Sequence, residues 1–189
     1  EANEEVAALV DDKISALPDS EAMTLDDAEA VAVARAMYDA LTDEQREYVT
    51  GLDRLEAAEE QIASLRAEAQ ANEDAQHVLG LINRIGEVTT GSAGAIETAR
   101  AAYEEASDWA KEKVREAGGL DTLEAAEGQL EYLKDKEAAD AVIQLINDLL
   151  AGGDLTAGDR DAVDEALEAY SRLTDAQRDL VGQPTIRLK

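Results

Sequence analysis

The chain has 189 residues, with 44 Asp and Glu against 17 Lys and Arg for a formal charge of −27, and it contains 12 Gly, 2 Pro, no Cys and no Phe. Acidity of this degree repels phosphate backbones and anionic lipid, and no apolar run approaches the ~20 residues of a membrane span, so nucleic-acid binding and membrane insertion are both disfavoured. The lack of cysteine removes disulfides and thiolate chemistry, while a composition dominated by Ala, Glu, Asp and Leu is that of long helices.

The first feature along the chain is a stripe of Val6, Leu9, Val10, Ile14 and Leu17, spaced for one face of a helix. A loop from Pro18 to Met23 follows, and it closes on Thr24 with Asp27 three positions on, the pattern of a capped helix start. The next helix carries Val31, Ala34, Tyr38 and Leu41, whose 3, 4, 3 spacing holds them on one face. Thr42 with Gln45 forms a renewed cap and starts a short helix ending near Val49. Gly51-Leu52-Asp53 then turns the chain into a third helix with the phrase Leu55-Glu56-Ala57-Ala58-Glu59.

The same series recurs twice, and such repetition makes each copy one supersecondary unit. Val78, Leu81, Ile82 and Ile85 open a second copy, with Thr89 and Ser92 as its cap, Ile96, Ala99, Tyr103 and Ala106 on its second helix, and Ser107 in the next capping place. Val142, Leu145, Ile146 and Leu149 open a third, followed by Thr156 with Asp159, by Val163, Ala166, Tyr170 and Leu173, and by Thr174 with Gln177. Tyr38, Tyr103 and Tyr170 recur at intervals of 65 and 67 residues. The expected units are 1–69, 70–137 and 138–189, the last a partial copy whose third helix is cut short after Gly182, Gln183 and Pro184. Its two apolar helix faces need cover, from the terminal segment Ile186 to Leu188 or from a second molecule.

Between copies nothing breaks the helix. The pattern from Leu52 to Ile85 contains no Pro, and that from Leu120 to Leu150 is interrupted only by Gly128, a cost of about 1 kcal/mol rather than a break. Each such helix would reach about 50 Å. At about 100° per residue, Leu52, Leu55, Ala58, Ile62, Leu65 and Ala69 share one side, whereas Val78, Leu81, Ile82 and Ile85 face nearly the opposite way. The residues between them, Gln70, Asn72, Glu73, Asp74 and Gln76, read as a polar waist with no buried face. A similar reversal separates Leu123, Ala126, Leu130 and Leu133 from Val142, Leu145, Ile146 and Leu149. The fold expected is all-α, with tandem three-helix bundles joined by long shared helices into an elongated rod.

The phrases Ala34-Arg35, Tyr38-Asp39-Ala40-Leu41-Thr42-Asp43-Glu44-Gln45-Arg46 and Leu55-Glu56-Ala57-Ala58-Glu59 resemble a helical repeat of large surface and secreted proteins of Gram-positive bacteria. The resemblance spans nearly the whole chain, although the second copy departs from it with Ala106-Ser107-Asp108-Trp109 and an extra stretch from Glu116 to Gly119. It implies three-helix bundles used as non-catalytic spacer or stalk modules, set beside adhesin, glycosidase or protease domains and upstream of a cell-wall anchor. The linked helices are also similar to spectrin repeats in architecture alone.

Residues that could carry chemistry are few. A glycosidase-type pair needs environments that push two carboxyl pKa values apart, and nothing marks such a pair among 44 acids. His77 is the sole histidine and reads as a helix residue of the polar waist, so no metal site is expected. The stretch Asp154 to Glu165 begins and ends like a calcium loop, but Asp159 stands where glycine is required and Arg160 holds the seventh place, so it reads as a capped helix start.

Val31, Tyr38, Leu41, Ile96, Tyr103, Val163, Tyr170 and Leu173 are the expected core, and Thr24, Thr42, Thr89, Ser107, Thr156 and Thr174 the expected caps. Arg35 and Arg100 are expected to pair with carboxylates of the third helix. Trp109, which no other copy repeats, is the one candidate contact point. No catalytic residue, cofactor or metal is expected. The function expected is a non-enzymatic spacer in an extracellular or cell-wall-anchored protein, Glu1 being no initiator methionine and the chain reading as a segment of a longer one. Its partners are then neighbouring domains of that protein. The alternatives are an adhesin-type module that binds a host protein and an accessory region of an extracellular hydrolase.

Overall fold

The computed structural model describes residues 2–153 and 155–182. Among these, the chain is helical without a strand, and nine α-helices follow one another: α1 (Ala2–Ser15), α2 (Ala28–Asp39), α3 (Asp43–Arg46), α4 (Leu52–Ile85), α5 (Ala93–Glu105), α6 (Asp108–Glu116), α7 (Gly119–Ala151), α8 (Arg160–Ser171) and α9 (Asp175–Gly182). Two 3-10 turns precede α2, and one precedes each of α5 and α8. The chain divides into two compact units, Glu1–Gln76 with Ser107–Lys113, and His77–Ala106 with Val114–Lys189.

Helix starts are fixed by short polar side chains. Capping boxes stand at Thr24 with Asp27, Thr42 with Gln45, Thr89 with Ser92 and Thr156 with Asp159. At the start of α9 the same reciprocal bonds join Thr174 and Gln177. At the start of α6, the Ser107 hydroxyl accepts from the Ala110 amide at 3.2 Å. Each cap satisfies amides that the first helical turn leaves without a partner. The start of α4 is capped from a distance instead. The Asp11 carboxylate, on α1, accepts from the Thr50 amide at 3.1 Å, the Thr50 hydroxyl at 2.9 Å and the Gly51 amide at 2.9 Å.

In the first unit, α1, α2 and α4 enclose one core. Val10, Ile14 and Leu17 meet Val31 and Ala34 from α2, Leu55, Ala58 and Ile62 from α4, and Met23 and Leu41 from the loops. No charged or polar residue is buried among the described residues. The stripe on α1 is therefore Ala7, Val10, Ile14 and Leu17, at 3, 4, 3 spacing. Val6 and Leu9, expected on that stripe, lie outward, and Leu9 is 60 % exposed. An α-helix offers the core one face, and Val6 and Leu9 fall to its flanks.

In the second unit, Val78, Ile82 and Ile85 of α4, Ile96, Ala99 and Tyr103 of α5, and Leu123, Ala126 and Leu130 of α7 are buried. Gly119 packs so closely that a Cβ there would lie 2.5 Å from Leu79 Cδ2 and 3.1 Å from the Val114 carbonyl oxygen. Gly51 occupies the matching place in the first unit, where a Cβ would lie 3.1 Å from both Asp11 Oδ1 and Ile14 Cγ2. The shared Gly-Leu-Asp phrase is thus a close approach of backbone to the opening helix of each copy.

Both long helices run unbroken, α4 for 34 residues and α7 for 33. Gly128 lies within α7 without interrupting it, and Gly86, with φ +61, takes the left-handed conformation just after α4 ends. The buried stripe of α4 reads Leu55, Ala58 and Ile62 and then Ala71, Ala75, Val78, Ile82 and Ile85. Nine residues separate Ile62 from Ala71, half a turn out of phase, so the reversal lies there. The expected polar waist is corrected accordingly. Ala71 and Ala75 are buried within it, with Asn72 and Asp74 half-buried and Glu73 exposed between them. In α7 the change falls between Leu130 and Ala139, at the same nine-residue interval.

Candidate functional site

Three places repeat along the chain and carry the charge, aromatic and apolar groups most able to act on something else. In the first copy, Arg35 of α2 meets Glu59 of α4 in a two-pronged pair, Nε to Oε1 at 2.6 Å and Nη2 to Oε2 at 2.5 Å. In the second, Arg100 of α5 meets Glu127 of α7 in the same way, at 2.7 and 2.6 Å. The fork geometry of guanidinium and carboxylate suits both charges, and the pair fixes the register of one helix on another. Each pair sits in an open groove, of about 350 Å³ at Arg35 and 670 Å³ at Arg100, floored by Val31 and Ile62 or by Ile96 and Leu130.

Each arginine also lies near the tyrosine three residues on, with Arg35 5.4 Å from the Tyr38 ring centre and Arg100 5.7 Å from that of Tyr103. Arg46 reaches the same Tyr38 ring at 5.5 Å and donates to the Asp39 carbonyl at 2.8 Å. Arg178 does likewise in the third copy, 5.8 Å from the Tyr170 ring and 2.8 Å from the Ser171 carbonyl. These contacts tie the short α3 and α9 back to the helices before them.

The expected core residues separate by copy. Val31, Leu41, Ile96, Tyr103 and Leu173 are buried, Tyr38 and Val163 are half-buried, and Tyr170 is exposed at 40 %. Tyr170 is therefore not core. Its sequence context matches that of Tyr38, but burial of the ring depends on a helix packed across it, and α4 supplies one only to Tyr38. Beside it Leu167, at the place of Arg35 and Arg100, is 61 % exposed. The signal was present in the sequence, because the residue three before each tyrosine reads Arg, Arg, Leu.

Trp109 is 41 % exposed, with the Lys113 ammonium 5.8 Å from its ring centre. His77 is exposed on α4. Asp154 of the loop compared with a calcium site lies outside the described residues, as does the segment Ile186 to Leu188. The Asp159 carboxylate is engaged in capping, accepting from the Thr156 amide and hydroxyl at 2.8 Å. No cluster of three or more His, Asp or Glu poised for a metal occurs among the described residues.

Electrostatics in these places favours fixed charge. The Arg100 guanidinium donates to Glu127 and holds its carboxyl below the ordinary 4.5, against the opposing effect of burial. The Thr156 amide and hydroxyl hold Asp159 below its usual value, and the backbone amide at Glu44, with the Thr42 hydroxyl, does so for Glu44. A general acid needs a carboxyl raised toward neutrality, and these three move the other way. Arg35 and Arg100 are each raised, chiefly by the hydrogen bond to their glutamate. The two arginine–glutamate pairs tie α2 to α4 and α5 to α7. Comparison with protein-family models, with curated proteins and with solved structures gave no match.

Proposed function

We propose that the chain is a non-catalytic spacer, a stalk of tandem three-helix bundles that holds neighbouring domains of a longer bacterial surface or secreted protein at a set distance. The observation that carries this reading is α4. Its 34 residues supply Leu55, Ala58 and Ile62 to one core and Val78, Ile82 and Ile85 to the next, with no glycine or proline at the reversal. A joint made of continuous helix resists bending as a flexible linker does not. In α7 the arrangement is repeated, and this serial use of one helix in two cores suits a rod extended copy by copy. The charge of −27 keeps such a rod soluble and discourages lateral association. In this reading, which the repeat's resemblance to modules of Gram-positive surface proteins supports, the spacer lies outside the cell in a wall-anchored parent.

Small-angle scattering tests the reading. A compact globule of this length has a radius of gyration of about 16 Å, and the stalk is expected above about 25 Å. A value near the compact figure would overturn it.

A further inference from the structure

The groove at Arg100 shares its plan with the groove at Arg35 and differs from it in charge. Ile96, Arg100, Glu127, Leu130 and Lys134 stand where the first copy has Val31, Arg35, Glu59, Ile62 and Arg66. Two lining places depart from the plan. Ala32 and Ala63 of the first groove give way to Glu97 and Glu131 in the second, and all four positions are exposed. The lining of the second groove therefore holds four acids and two bases, against two of each in the first. Neither Glu97 nor Glu131 hydrogen-bonds or ion-pairs among the described residues.

The second groove is also the larger, at about 670 Å³ against 350 Å³, and it has a third wall. That wall is α9, where the Gln177 side-chain amide donates to the Asp135 carboxylate of α7 at 2.8 Å. Its floor is apolar, made by the buried Ile96 and Leu130. Glu97 stands on α5 and Glu131 on α7, so each long wall carries a carboxylate. We propose that this groove takes a basic amphipathic segment of a partner chain, with an apolar side chain over Ile96 and Leu130 and a lysine or arginine on either side of it meeting Glu97 and Glu131. Charge complementarity selects that occupant. An acidic segment is repelled by this lining, and a second copy of the chain, itself of charge −27, is repelled as well.

The probe is the synthetic peptide Lys-Leu-Leu-Lys-Leu-Leu-Lys, labelled with fluorescein and followed by anisotropy as the full chain is added. Saturable one-to-one binding is expected. Glu97→Ala with Glu131→Ala, which gives the lining of the first groove, is expected to weaken it about five-fold. Asp12→Ala with Glu47→Ala removes the same charge from exposed places outside both grooves and is expected to leave the affinity unchanged. Circular dichroism confirms that both variants are folded. A peptide with serine in place of leucine keeps its charge and is expected to lose binding. No binding by the first peptide, equal weakening by the two pairs of substitutions, or equal binding of the serine peptide overturns the proposal, the last two by showing only diffuse attraction to an acidic chain. A dimer in sedimentation equilibrium that Glu97→Ala with Glu131→Ala tightens also overturns it, by making a second copy the occupant.

Discussion

Arg100 of α5 and Glu127 of α7 face each other fork to fork, two hydrogen bonds at 2.7 and 2.6 Å, as Arg35 and Glu59 do in the first copy. Their side chains are 28 % and 34 % exposed, so water screens the pair and its worth is reduced from that of a buried one. In a double-mutant cycle of Arg100→Met and Glu127→Gln read by denaturant unfolding, a coupling of about 0.5–1 kcal/mol is expected. A coupling of zero would mean that the geometry confers no stability.

The same pair makes stability depend on pH with a definite sign. The Glu127 carboxyl is held below its ordinary 4.5, first by the hydrogen bond from Arg100 and then by that residue's charge. Its contribution is complete above the ordinary value and disappears as pH falls through the lowered one. The stability gap between wild type and Glu127→Gln is therefore expected to be widest near about pH 7 and to shrink by about pH 3. Relief of charge repulsion in acid affects both proteins alike, so the gap isolates the pair. A gap constant across that range speaks against the assignment.

Two glycines of α7 have opposite expected responses to alanine. Gly119→Ala forces a Cβ toward Leu79 Cδ2 at 2.5 Å and toward the Val114 backbone, and a loss of about 1–3 kcal/mol is expected. Gly128→Ala meets nothing within 4 Å in a helix interior, and a gain of about 0.5–1 kcal/mol is expected. Thermal unfolding of the two variants checks both signs. Equal effects would show that the close approach of Gly119 is not a packing constraint.

Much of this fold is legible in the chain because its signals are local. Threonines with an acid, amide or hydroxyl three residues on mark the caps, and the 3, 4, 3 stripe of Val31, Ala34, Tyr38 and Leu41 marks a helix face. Pairing of Arg35 and Arg100 with the third helix follows from their repetition beside the tyrosines. What escapes local reading is long-range. Asp11 looks like any other acid of α1, and nothing near it reveals that Thr50 and Gly51 donate to it. The sequence pattern sets the seam reversal in α4 among polar residues, but it falls between Ile62 and Ala71, and whether an alanine such as Ala71 is inside depends on what is laid against it. Tyr170 repeats the setting of Tyr38 and yet is exposed, since burial belongs to the covering helix and not to the phrase. Leu167 was readable by comparing copies, and its meaning emerges only once Arg35 is seen to hold Glu59.

The central claim is that α4 passes as one rigid helix from the first core to the second. The chain has no cysteine, so Glu56→Cys and Asn83→Cys, both at exposed positions of α4, can be spin-labelled without background. Pulsed electron resonance on the doubly labelled protein is expected to give one narrow distance near 41 Å, the span of about 27 residues at about 1.5 Å each. A broad distribution centred below about 30 Å would show that the helix bends or breaks between Ile62 and Ala71, and would contradict the account.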